Sequence, residues 1–252
     1  MEKIFFNNSK GDKLCGLLTI SDPEKDMIAI LCHGHSSSKN SKSWTALEPI
    51  LSDKNISVFR FDFYGNGESE GKFEDSDLTE TTDDILHAID YVKSLGFKRI
   101  VLVGSSFGGL SSILAASKSK ELYGMVLKSP VSDYHEVDLQ RLGEQGLQEW
   151  KEKGVRSYPY ADPSSGLLLN YSFVEDYLKY DVYEAAEKIE VPTLVVHGDM
   201  DTEVPFSQSE KLVKHLKQGK LISVSGANHW YAEEGKFDEM IKLIADCIIK
   251  LK

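Results

Sequence analysis

Three residue types that together make an activated nucleophile stand far apart in this chain, each beside a turn: Ser106, Asp201 and His229. Ser106 is the centre of Gly104-Ser105-Ser106-Phe107-Gly108, a G-x-S-x-G pattern between a strand-like run and a helix-like one. A serine at the apex of so sharp a turn needs small residues two positions before and after it, or the helix cannot pack. The helix start then aims N–H groups and positive dipole at the serine oxygen, where negative charge would develop. Ser105 is the rival nucleophile, but only Ser106 has glycine at both offsets.

A hydroxyl needs a base from elsewhere in the chain. Of seven histidines, His229 follows the last strand-like run in a loop of small residues, Ser225 to Asn228, that can approach a sheet edge. His215 shares a helix-like stretch with lysines and reads as solvated, and His87 and His135 have no matching context. His197 ends a strand-like run beside Gly198 and reads as a structural, packed or hydrogen-bonded residue. The third member must orient the imidazole and stabilise its charged form. Asp199 and Asp201 both follow the run from Thr193. Asp201, further past the strand end, is the better placed, and Asp199 is expected to brace the turn.

An oxyanion needs two donors. After the run Ile28–Cys32, His33-Gly34-His35 gives a turn from which the His35 N–H can face the site. With the Phe107 N–H it would form a hole worth about 3 kcal/mol per donor. A metal reading of His33 and His35 gives at most half a site, since no cysteine or carboxylate set accompanies them. No metal or cofactor is expected.

The elements that must hold these residues alternate. Runs at Met27–Cys32, Ser57–Asp62, Arg99–Gly104, Gly124–Ser129, Thr193–His197 and Lys220–Val224 are continuously apolar or β-branched, as strands buried on both faces are. Helical patterns lie between them, near 42–53, 78–95, 107–118, 207–216 and 237–250. The alternation predicts an α/β fold, a mostly parallel sheet with helices on both faces, and the first runs, 4–6 and 13–20, predict an antiparallel edge hairpin. From 129 to 190 the rhythm stops. So long an interruption predicts a cap insertion, dividing the chain into a core of 1–128 with 191–252 and a cap of 129–190.

The chain has 252 residues, 41% of them hydrophobic, enough for one large core. Its 40 acidic side chains outnumber 29 basic ones, for a formal net charge of -11. With no basic stripe to offset that balance, nucleic acid and acidic membrane are poor partners. Cys15, Cys32 and Cys247 are odd in number and lack C-x-x-C spacing, so reduced, buried thiols are expected. No stretch nears the roughly 18 apolar residues that would insert in a membrane, and the first residues lack a signal-peptide core. A cytoplasmic protein is the expectation. Oligomeric state, a homodimer included, is left open.

Taken together, His33-Gly34, the Asp62-x-x-Gly65-x-Gly67-x-Ser69 block, the Gly104–Gly108 elbow and the late Asp201 and His229 blocks resemble the α/β-hydrolase superfamily over essentially the whole chain. In such families the aspartate–glycine block is structural. The H-G-x loop and moderate cap look like bacterial cinnamoyl or feruloyl esterases and related carboxylesterases. The chain is also similar to small acylglycerol lipases and to prolyl-oligopeptidase-like catalytic domains, although the latter normally carry a propeller for which there is no room. The resemblance implies a serine carboxylesterase acting on small acyl or aromatic-acid esters through an acyl-enzyme. Monoacylglycerol lipase, thioesterase, peptidase and non-catalytic small-ligand binder are the alternatives. In the cinnamoyl esterases the cap contacts the aromatic acid's hydroxyls, which makes Asp138, Gln145, Tyr158 and Tyr160 candidate substrate contacts here.

Overall fold

The computed structural model describes residues 1–158 and 166–252. Strands β1 (Glu2–Asn7) and β2 (Lys13–Thr19) form the expected antiparallel hairpin. Then β3 (Met27–Cys32), β4 (Ser57–Phe61), β5 (Arg99–Ser105), β6 (Leu122–Lys128), β9 (Thr193–Gly198) and β10 (Gly219–Val224) complete an eight-stranded sheet among the described residues. Its order is β1-β2-β4-β3-β5-β6-β9-β10, and every pairing from β4 to β10 is parallel.

The strand runs are continuous because both faces are covered. In β3, Ile28, Ile30 and Cys32 join one apolar cluster while Met27, Ala29 and Leu31 join the other. The first cluster packs beneath α2 (Leu78–Ser94), α3 (Phe107–Lys118) and α7 (Phe206–His215). The second packs beneath α1 (Lys42–Ser52) and α8 (Lys236–Leu251). Helix α8 buries Met240, Ile241, Ile244, Ala245 and Ile248, a one-faced spacing. The four larger side chains contribute gross burial of about 6–12 kcal/mol, an upper bound because the unfolded chain is itself partly collapsed.

No strand of the main sheet falls between 129 and 190 among the described residues. Helix α4 (Tyr134–Lys153) starts on an Asp133 cap and breaks phase at Gly143, whose φ and ψ are 64° and 175°. A short antiparallel pair follows, β7 (Val155–Ser157) with β8 (Leu168–Asn170), where the sequence carries no strong strand signal. The six-residue helices α5 (Ser172–Tyr177) and α6 (Val182–Glu187) complete the segment. Helix α6 packs on α3 and α7, so the end of this segment joins the helical layer of the core.

Candidate active site

The carboxyl ends of β3, β5, β6 and β9 meet at one edge, where the loops leave the sheet. Ser106 joins β5 to α3 with φ 53° and ψ -118°, a conformation that costs about 1–3 kcal/mol for a residue with a Cβ. Its neighbours explain the glycines. A Cβ at Gly108 would overlap the His33 carbonyl oxygen, and one at Gly104 would lie 2.6 Å from the Gly108 carbonyl oxygen. The turn closes only because both are absent.

The hydroxyl of Ser106 lies 3.2 Å from His229 Nε2, and His229 Nδ1–H donates to Asp201 Oδ2 at 2.6 Å. A carboxylate only accepts, so Asp201 fixes the tautomer that leaves a lone pair on Nε2 facing the serine. The structure thus brings together the three residues chosen from the sequence. His33 is neutral and structural: it accepts Phe63 N–H at Nε2 (3.1 Å) and donates from Nδ1 to Gly34 O (2.7 Å). Burial pushes its pKa down to about 4. This pins the loop after β3 to the loop after β4.

Asp201 has a second partner that sequence reasoning did not assign. His197 Nε2–H donates to the same Oδ2 at 2.9 Å, and His197 Nδ1 accepts from Ser209 Oγ on α7 at 2.7 Å. Burial alone would raise the Asp201 pKa, but hydrogen bonds from His197, His229 and Val204 N–H outweigh it and hold the carboxyl well below the usual carboxylate range. For His229, burial lowers the pKa more than Asp201 raises it. The His229 imidazole is therefore neutral at neutral pH and can accept a proton. Only the strand end beside Gly198 hinted at His197; its reach to Asp201 is a tertiary fact. Asp199 does brace a turn, though not its own: its Oδ1 accepts Gly226 N–H in the loop after β10, at 2.6 Å.

The loop after β3 turns at Ser36, with φ 54°, whereas Gly34 has no positive φ. Gly34 instead lies against Ser106, where a Cβ would sit 3.5 Å from the serine's own. The His35 ring stacks on Phe107, with centroids 4.5 Å apart. Neither the His35 nor the Phe107 N–H donates to another backbone group among the described residues. Asp62, just past β4, accepts Lys39 N–H and Glu68 N–H and pairs with the buried Lys39 ammonium, which ties the loop after β3 to the loop after β4.

A cavity of about 810 Å³ opens on Ser106 and His229. One side is aromatic, with His35, Phe107, Tyr134 and Tyr158, and ends at the Arg141–Glu203 ion pair. The other runs past Trp230 and Tyr231 to the starts of α1 and α8. Of the cap candidates, Tyr158 lines this cavity. Asp138 lies behind it, accepting the Tyr177 hydroxyl at 2.9 Å, with burial raising its pKa to about 6. Gln145 is exposed, two residues past the break at Gly143, and donates along its own helix to Glu149 at 3.0 Å rather than lining the cavity. Tyr160 lies outside the described residues.

Comparison with known proteins places the chain. The prolyl oligopeptidase family matches it over residues 43–246. The uncharacterized protein YfhR of Escherichia coli K12 is 26% identical over 234 residues, covering 90% of this chain and 73% of that one. The human mitochondrial palmitoyl-protein thioesterase ABHD10 is 25% identical over 226 residues, covering 88% and 73%. Among solved structures, Est1E from Butyrivibrio proteoclasticus with ferulic acid bound superposes with a TM-score of 0.81 at 27% identity, covering 98% and 96%.

Proposed function

This chain belongs to the prolyl oligopeptidase family and is a hydrolase with the α/β-hydrolase fold, and on that footing we propose that it is a serine carboxylesterase acting through Ser106, His229 and Asp201. The observation that carries the reading is the unbroken path from the Ser106 hydroxyl through His229 to Asp201, opening on an 810 Å³ cavity. His229 takes the serine proton as Oγ attacks the ester carbonyl, and the His35 and Phe107 N–H groups receive the oxyanion. The imidazolium then protonates the departing alcohol. Water, deprotonated by the same His229, releases the acid and restores the serine.

The acyl group we favour is aromatic. His35 stacks on Phe107, and Tyr158 and Tyr134 meet these two rings edge-on, which lines the cavity beside Ser106 with aromatic surface; the ferulate-binding Est1E is similar over nearly the whole chain. Residues 129–190 act in this reading as the cap that supplies Tyr134 and Tyr158. A long-chain acyl thioester is the second reading. It is favoured by the cavity's size, near the top of the range for small-ligand sites, and by the likeness to a palmitoyl-protein thioesterase.

One experiment tests both. Pure protein and Ser106→Ala are assayed on methyl ferulate, p-nitrophenyl acetate and octanoate, a palmitoyl thioester and an aminoacyl anilide. Ester turnover that drops by several orders of magnitude in the variant supports the triad. Turnover that survives the substitution sinks it, and cleavage of the thioester or the anilide alone replaces the ester assignment.

A further inference from the structure

The wall of the site holds a charge that the three-residue mechanism does not use. Lys128 is the last residue of β6 and is buried. Its Nζ donates to the His229 carbonyl oxygen at 3.3 Å and lies 4.9 Å from the centre of the Tyr231 ring. Its own carbonyl oxygen accepts the Ser106 N–H at 2.9 Å. One residue on, Ser129 Oγ and the Tyr231 hydroxyl share a bond of 3.0 Å. The end of β6 thus grips the nucleophile on one side and residues 229 and 231 on the other.

A buried ammonium is costly, and an apolar side chain of this length would pack here at less cost. Only one protein oxygen receives its hydrogen bonds among the described residues. We infer that Lys128 is a positioning residue for the base: its ammonium ties the His229 loop to the end of β6, whose last carbonyl holds the Ser106 N–H, and its charge opposes protonation of the imidazole. This rests on the triad reading above.

The groups facing His229 are Asp201 from the loop after β9, His197 from β9 itself, Ser106 from the elbow and Lys128 from β6. Asp201 favours the imidazolium, and burial and the Lys128 charge both act against it. Lys128 is the lysine placed to oppose it. Burial brings its pKa down to about 8, so it still carries charge in the range where His229 must be neutral. That charge is among the influences lowering the His229 pKa, after burial itself.

The test reads the base without depending on the substrate. The rate of inactivation by a fluorophosphonate probe is followed from pH 5 to 9 in the wild type, Lys128→Met and Lys128→Arg, with a thermal melt of each. In Lys128→Met the acid limb moves to higher pH, and the ratio of the pH 6 rate to the pH 8 rate falls by roughly threefold or more. Lys128→Arg, which keeps the charge, stays near the wild-type ratio, and the melting temperature of the methionine variant is equal or higher. If that variant does not fold, Lys128→Gln poses the same question. A methionine profile that superimposes on the wild type, or equal displacement in Met and Arg, overturns the inference while the triad stands. So does a KM rise confined to esters bearing a carboxylate with the limb unmoved, which would make Lys128 a substrate contact. A wild type that never reacts overturns both readings.

Discussion

Asp201→Asn is the substitution whose outcome the geometry constrains most tightly. Oδ2 accepts from His229 (2.6 Å) and His197 (2.9 Å), and Oδ1 accepts the N–H groups of Glu203 (2.8 Å) and Val204 (2.9 Å). All four partners donate, and an asparagine has one oxygen to offer them. Whichever way the amide turns, its NH2 meets two donors. The backbone N–H groups cannot change, whereas the imidazoles can exchange tautomers, so the oxygen takes the backbone side and the NH2 faces the histidines. His229 then accepts at Nδ1 and carries its proton on Nε2, with no lone pair for Ser106. On this scheme kcat falls by about 10³–10⁴, which is about 4–5.5 kcal/mol in the barrier. Asp201 does not line the cavity, so KM is expected to change by no more than about threefold. The assay is steady-state hydrolysis of the best ester found, with Asp199→Asn as control. That control should stay within about twofold, because Asp199 touches the Gly226 N–H and not the imidazole. An Asp201→Asn enzyme with kcat within tenfold of the wild type would refute the tautomer argument.

Two further perturbations probe the frame. Gly108→Ala pushes a methyl group into the His33 carbonyl oxygen, a backbone atom with little room to move. It should cost about 3 kcal/mol, read as a lower denaturation midpoint, and a stability equal to wild type would show that the elbow tolerates bulk. Asp138→Asn tests a buried carboxyl whose pKa is raised to about 6. Since the folded state holds this proton more tightly than the unfolded chain, the group's contribution is fullest below about pH 4 and is lost as pH rises through 6. The asparagine variant should therefore gain roughly 1–3 kcal/mol relative to wild type above pH 7 and nothing below pH 4. Thermal melts across that range check it, and a pH-independent difference would contradict it.

Much of the fold was written locally. A run such as Met27–Cys32 is apolar at every position because both of its faces are covered, and the alternation of such runs with helical periods implies the doubly covered sheet. The elbow was legible for the same kind of reason: Gly104 and Gly108 are demanded by a turn only a few residues long, so the signal lies within one short stretch. Asp201 and His229 could be chosen because each follows a strand end that the parallel order brings to the same edge. The phase break at Gly143 was not legible, because a glycine in a helical pattern does not declare which φ it takes. Nor was the pair β7–β8, whose three-residue strands are too short for a period to show.

The main strands with the helical periods between them, and the serine, aspartate and histidine singled out at their ends, were legible because their signals lie in short stretches of chain. The tertiary structure decided the rest: that His197 shares the Asp201 oxygen, that Lys128 reaches the His229 carbonyl 101 positions away, and which aromatic rings face the cavity. Those contacts are set by how strands and loops distant in the chain pack, and the directions of buried side chains across such distances leave no local pattern to read.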